Sequence, residues 1–234
     1  MIWARLRDAV ESGATAVVLS AVAGEDEPPA GLMARLTPQE QARAGRFRFA
    51  ADRGVFVVAH ALLARAVGAV LGPDGPAWSL EAAGEGSKPA LRIEGQMLYA
   101  NLSHTRGAAA VAITRGGDVG VDVEAERPLA DLHQLAGRVF TPNERRALKE
   151  LADPRRLFVR LWARKEAVIK ACGLGLAAPL QEIDVLDPLA LRLPAELPQL
   201  AVADVAWPAQ PQVAAAVCGV RGDHQVFEVA PGNC

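Results

Sequence analysis

Thr37-Pro38-Gln39-Glu40 and Thr141-Pro142-Asn143-Glu144 are one local signal written twice, about half a chain apart. In each, the threonine is placed to cap a helix and proline takes the first helical position. The glutamate three residues after the cap can return a hydrogen bond to the cap amide. Arginine-rich sequence follows each start, and then an apolar helix, over 55–70 in the first half and 157–171 in the second. Capping boxes are common, so coincidence is one explanation. A duplicated α+β unit is the favoured one.

Strand signals surround both helices. Apolar runs rich in β-branched residues predict strands at 15–20, 91–93, 107–113, 119–124, 183–186, 213–220 and 226–229. The expectation is a mixed α+β chain. Gly116-Gly117-Asp118 joins two of these runs near the midpoint and is the turn at which the halves divide, into 1–116 and 117–234. No long linker separates them, so the halves are expected to pack together.

Composition narrows the classes. Of 234 residues, 51% are hydrophobic and 22% charged, which fits a globular chain and not a disordered one. A net charge of -2 lacks the signature of a general nucleic-acid binder, while a local basic face stays possible. Cys172, Cys218 and Cys234 are odd in number and show no C-x-x-C spacing, against a disulfide framework or a zinc site and compatible with a reducing cytoplasm. Arginines and Asp8 interrupt the N-terminus where a secretion signal needs an apolar run. The most apolar stretch, 55–71, is broken by His60 and Arg65 and reads as too short for a membrane span, so a buried helix in a soluble cytoplasmic protein is expected.

Three segments carry potential chemistry. In Val119-Gly120-Val121-Asp122-Val123-Glu124, alternation puts both carboxylates on one strand face and the valines on the other. The pair is either a solvated edge or part of a hard-cation site of oxygen ligands. Trp162, Glu166 and Lys170 fall at i, i+4 and i+8, one helical stripe that mixes an aromatic, an acid and a base. On a solvated helix that spacing is an ordinary ion pair, but Leu161, Val168 and Ile169 predict a largely buried helix. Ser87-Lys88-Pro89 and Tyr99-Ala100-Asn101-Leu102-Ser103-His104 read as loops beside strands that present a lysine, a serine and a histidine. No acid completes a hydrolase triad, and no G-x-S-x-G elbow, P-loop or Rossmann glycine fingerprint occurs.

Taken in order, Lys88-Pro89, Asn101-Leu102-Ser103-His104, Gly120-Val121-Asp122-Val123-Glu124 and the run from Trp162 through Lys165-Glu166 to Lys170 resemble the signature of the Sfp-type 4'-phosphopantetheinyl transferases. The resemblance covers roughly the middle third of the chain. It implies two similar α/β halves about a pseudo-twofold axis with the active site at their interface, in a single-chain, monomeric pseudo-dimer. It implies transfer of phosphopantetheine from coenzyme A, the co-substrate, to a serine of an acyl or peptidyl carrier protein of polyketide, nonribosomal peptide or related pathways. Neither nucleic acid nor membrane is an implied partner. Asp122, Glu124 and Glu166 would hold Mg2+, with Glu166 and Lys170 catalytic: Glu166, directly or through a metal-bound water, taking the serine proton and Lys170 stabilising the departing 3',5'-ADP. Arg43, Arg53, Lys88, Pro89, Ser103, His104, Lys165 and Lys170 would contact coenzyme A, with Arg53, Lys88, Ser103 and His104 around its 3'-phosphate. The chain departs from the family where lysines are frequent in the first-half helix: Glu40 stands near one such place, Arg43 is carried over, and Arg46 reads equally well as a solvated charge. Arg138, Arg145, Arg146, Arg155, Arg156 and Arg160 are candidates for a basic face that receives an acidic carrier. Two other readings remain: a different magnesium-dependent phosphate enzyme, and a silent relative that binds carriers without modifying them.

Overall fold

Alternation along the strands sets the layers. The computed structural model describes residues 1–22, 28, 31–72, 90–93, 98–220 and 223–234. From the N-terminus, α1 (Ile2–Glu11) leads into β1 (Thr15–Ala21), and α2 (Pro38–Ala44) and α3 (Ala50–Leu71) follow. Then come β2 (Ala90–Ile93), β3 (Leu98–Thr105), β4 (Ala108–Thr114) and β5 (Val119–Ala125). The remainder is α4 (Leu132–Val139), α5 (Pro142–Lys149), α6 (Arg155–Cys172), β6 (Ala201–Asp204), β7 (Val213–Gly219) and β8 (His224–Glu228). One sheet has the order β2-β3-β4-β1-β8 and the other β5-β7-β6. All pairs are antiparallel except β1 with β8.

The two sheets stack through a dry seam. Val17, Leu19, Ala108, Ala110 and Ala112 of the first sheet meet Val119, Val121, Val123 and Val217 of the second. The alternate residues Ala16, Val18, Ala109, Val111 and Ile113 turn the other way, onto α1 and α3. On the far side of the second sheet, Ala216 and Cys218 pack with Leu161, Ala167 and Val168 of α6. The result is helix, sheet, sheet, helix, with every strand of the seam buried on both faces. β4 has all seven residues buried, each of them an alanine or a β-branched residue, which lets both neighbouring layers approach.

α3 is longer than the sequence suggested. At 22 residues it is long and apolar enough to cross a membrane, which corrects the reading of this stretch as too short. Its most apolar window is 72% buried inside the molecule, as in a core helix. Both capping boxes form: Thr37 N–H donates to Glu40 Oε2 and Thr141 N–H to Glu144 Oε2, each at 2.8 Å. Each glutamate also reaches a basic side chain on the long helix of its own half. Glu40 Oε1 lies 2.6 Å from His60 Nδ1 in α3, and Glu144 Oε2 lies 2.9 Å from Lys165 Nζ in α6. The same cap is thus used twice to tie a short helix to a long one.

Two expectations are corrected. Residues 183–186 do not form a strand; Asp184 makes a lone bridge to Arg192. Side chains take the place of a partner strand there, since Val185 N–H donates to Glu144 Oε1 and Arg164 donates to the carbonyls of Val185 and Leu186. Residues 98–105 are a strand and not a loop. Asn101, Ser103 and His104 are poor strand formers, but pairing to β4 over residues 99–105, joined by β2 as far as Asn101, overrides that weak local preference. The turn at Gly117, with φ of 116°, is where the chain leaves the first sheet for the second. A division by sheet would nevertheless return residues 224–234 to the first half, because β8 pairs with β1 and Cys234 is fully buried.

Candidate functional site

β5 is the edge strand of its sheet and faces α6 with Gly120, Asp122 and Glu124, while its valines fill the seam. Gly120 makes the close approach possible. A Cβ there would overlap the Ala167 carbonyl and lie 2.6 Å from the Ala171 nitrogen, so only a glycine lets strand and helix backbones touch. This contact lays the Trp162–Glu166–Lys170 stripe along the acids. Trp162 Nε1–H donates to Glu124 Oε1 at 3.1 Å. Lys170 Nζ donates to Asp122 Oδ1 and to the Val121 carbonyl, both at 2.7 Å. Glu166, between them on the helix, is half-buried.

Asp122 is 2% exposed, which removes the solvated-edge reading of this strand. Ser103 Oγ donates to the same Oδ1 at 2.8 Å, so this oxygen takes two bonds. The other oxygen, Oδ2, is buried without a hydrogen-bond partner among the described residues. Burial, and then the charge of Asp122, push the Glu124 carboxyl up from its usual 4.5 to about 7, against the pull of Trp162, Arg127 and Lys170. A buried carboxylate oxygen without a donor beside a second carboxyl that resists ionisation is a site short of positive charge, and a divalent cation fits that shortfall. Among the described residues no three His, Cys, Asp or Glu side chains gather into a ready-made cage. Magnesium, held by one or two carboxylates with water and substrate phosphate for the rest, does not need one.

The coenzyme-contact residues predicted from sequence are distributed over several places. Ser103 and His104 are neighbours on a strand and therefore point to opposite faces. Ser103 turns inward to Asp122 and is 8% exposed. His104 is exposed and lines an open cleft with Phe47, Phe49, Asp52, Val55 and Arg106 at the start of α3. Arg53 lies in the first turn of that helix. Arg43, on α2, sits over the Phe56 ring at 5.3 Å. Lys88 and Pro89 lie outside the described residues. Lys165 is placed elsewhere altogether: its amine is fully buried, paired with Glu144 and bonded to the carbonyls of Leu180 and Ile183. It is a core lysine with its hydrogen-bonding directions taken, which corrects its expected contact with the coenzyme. Lys170 is buried too, with its amine on Asp122 Oδ1 and the Val121 carbonyl, beside the acids.

Of the six arginines proposed as a basic face, several are engaged locally. Arg155 pairs with Asp153, Arg160 with Asp204, Arg146 bonds Asn143, and Arg145 bonds the Gly137 carbonyl. A groove beside Glu124 was not foreseen. Leu129, Leu135, Phe158, Val159 and Trp162 line it, with Arg127 at its rim, and it continues past Leu135 to Arg138. Sequence reasoning also passed over Asn101, whose Oδ1 accepts the Val121 N–H at 3.1 Å, and Glu144 as the partner of Lys165. A lysine on an apolar helix face is itself a signal that a buried acid must be near.

Comparison with known proteins bears on the same residues. The family model for the 4'-phosphopantetheinyl transferase superfamily matches residues 118–218, which hold β5 and α6. The 4'-phosphopantetheinyl transferase HetI of Nostoc sp. is 38% identical over 160 residues, 66% of this chain and 66% of that protein. The 4'-phosphopantetheinyl transferase AcpT of Escherichia coli is 37% identical over 103 residues, 43% of this chain and 52% of its own length. The L-aminoadipate-semialdehyde dehydrogenase-phosphopantetheinyl transferase of Homo sapiens is 28% identical over 169 residues, 67% of this chain and 54% of its own. The chain thus spans between about half and two thirds of the length of these curated relatives.

Proposed function

This chain belongs to the 4'-phosphopantetheinyl transferase superfamily, and on that premise we propose that it transfers the 4'-phosphopantetheine group of coenzyme A to a serine of an acyl or peptidyl carrier protein. The serine Oγ attacks the phosphorus that bears pantetheine, the bond to the second phosphate breaks, and 3',5'-ADP leaves. The observation that carries this reading is the buried Asp122 oxygen without a donor, next to Glu124 with its carboxyl raised to about 7. Asp122, Glu124 and Glu166 would hold the magnesium ion, which when bound neutralises the pyrophosphate as its charge shifts to the leaving group.

The protein side chains then have separate tasks. Glu166 is half-buried on the face of α6 between Trp162 and Lys170, and accepts the proton of the carrier serine. Lys170 and Ser103 hold Asp122 through Oδ1 and leave Oδ2 to face the cation. Trp162 orients Glu124. His104 and Arg53, at the cleft before α3, suit the nucleotide end of coenzyme A. The apolar groove of Leu129, Leu135, Phe158 and Trp162, with Arg127 and Arg138 near it, suits an amphipathic acidic helix of the carrier and brings it alongside Glu124. Both sides of the site come from one chain, which supports action as a monomer. The repeated tie from a capping glutamate to a long helix supports two halves related by a pseudo-twofold.

Intact-mass measurement of an apo carrier protein with this chain, coenzyme A and Mg2+ tests the reading. The carrier should gain one phosphopantetheine, and a chelator should abolish the gain. Glu166→Gln should slow transfer by about 100-fold or more with an unchanged circular dichroism spectrum. Near-normal transfer by Glu166→Gln removes it as the base, and unmodified carriers across several types would sink the assignment.

A further inference from the structure

Among the described residues β5 has β7 on one side and no strand on the other, so alternate amides and carbonyls along it face away from the ladder. At Val121 side chains take both groups. Its N–H donates to Asn101 Oδ1 at 3.1 Å, and its carbonyl accepts from Lys170 Nζ at 2.7 Å. One residue later, Asp122 Oδ1 accepts from Ser103 Oγ at 2.8 Å. Asn101 and Ser103 stand two apart on β3 and so share the face turned to β5. They are 1% and 8% exposed. A strand of the first sheet therefore grips the acid strand of the second at two successive residues, once by its backbone and once by its carboxylate.

We propose that Asn101 and Ser103 are positioning residues, a clamp that fixes the height of β5 and the rotation of the Asp122 carboxylate so that Oδ2 is presented to a divalent cation. Neither touches the reacting atoms. Asn101 holds the backbone that carries Asp122, and Ser103 occupies Oδ1. Together they make cation binding conditional on the docking of the two sheets. The inference rests on the divalent-cation reading above and adds to it residues from the other half of the chain.

The test uses the full chain with Mn2+ as probe, without coenzyme A or carrier, in Ser103→Ala, Ser103→Thr and Asn101→Ala. Mn2+ affinity by calorimetry should fall about 10–100-fold in Ser103→Ala. Ser103→Thr, which keeps the hydroxyl, should restore it. With metal saturating, the KM for coenzyme A should be unchanged in Ser103→Ala. In Asn101→Ala, hydrogen exchange at the Val121 amide should quicken about 10-fold or more, with the amides of β4 unaffected. That exchange readout depends on neither metal nor activity, and the β4 amides report whether the variant has kept its fold. Unchanged Mn2+ affinity in Ser103→Ala, or unchanged Val121 exchange in Asn101→Ala, overturns the clamp. A raised KM for coenzyme A with unchanged Mn2+ affinity overturns it in favour of a phosphate contact for Ser103. Failure of the unsubstituted chain to bind Mn2+ is distinguishable from these, because it removes the cation premise and the proposal with it.

Discussion

Asp122 and Glu124 share a strand face, yet their surroundings separate them. Asp122 has Ser103 and Lys170 on one oxygen, while Glu124 accepts from the Trp162 indole and is held well above the usual carboxylate range, at about 7. A carboxyl whose folded pKa lies above its unfolded one binds more protons in the folded state between the two values. Its contribution to stability therefore falls as pH rises from about 4.5 to about 7 and is level beyond that. A cation against Glu124 offsets that loss. The rise in melting temperature caused by Mg2+ should thus be larger near pH 8 than near pH 5, a comparison that scanning fluorimetry makes directly. An equal rise at both values would show that Glu124 does not meet the ion. Lys165 is the contrasting residue. Breaking its buried pair by Glu144→Gln or Lys165→Ala should cost about 3–5 kcal/mol in chemical denaturation. The KM for coenzyme A of the remaining folded enzyme should not change; a large rise would return Lys165 to the substrate.

Among the elements, the contact between β5 and α6 governs the site. Its register depends on Gly120, because the Ala167 carbonyl and the Ala171 nitrogen leave no room for a Cβ. Gly120→Ala should therefore destabilise the protein by about 3 kcal/mol or more, since backbone and not a flexible side chain must give way. Transfer should fall further than stability alone explains, as α6 carries Trp162, Glu166 and Lys170 away from the acids when it moves. A melting temperature within a degree or two of the unsubstituted protein would refute the tight-contact argument. The short helices act through their caps. α2 and α5 are seven and eight residues long, too short to persist alone. The glutamates that cap them also anchor them to α3 and α6.

For the whole molecule, the order of the sheets matters more than the order of the sequence. The chain crosses between sheets at Gly117 and crosses back to place β8 beside β1, with Phe227 and Val229 entering the core under α1 and α3. Removing residues 224–234 should therefore damage the first sheet, far from the acids in sequence. Deletion should lower the melting temperature markedly and increase cleavage by protease within residues 1–22. Unchanged proteolysis would show that β8 is dispensable to that sheet.

Much of this was legible before any fold was known, where the signal is local. A capping box is four consecutive residues, so both helix starts could be read from Thr37 and Thr141. Period-2 alternation from Val119 to Glu124 put the acids on one face, and the i, i+4, i+8 spacing put Trp162, Glu166 and Lys170 on one stripe. What the sequence could not settle was which face meets which. Lys165 and Lys170 lie on the same helix, and their separate fates depend on Glu144 and Asp122 arriving from different elements. Ser103 looked like a loop residue because its own propensity is weak, whereas its strand conformation comes from pairing with β4 and its inward direction from β5 packed against it. Spacing along a chain determines the direction of a side chain relative to its neighbours; only the packing of distant segments supplies the atom it points at.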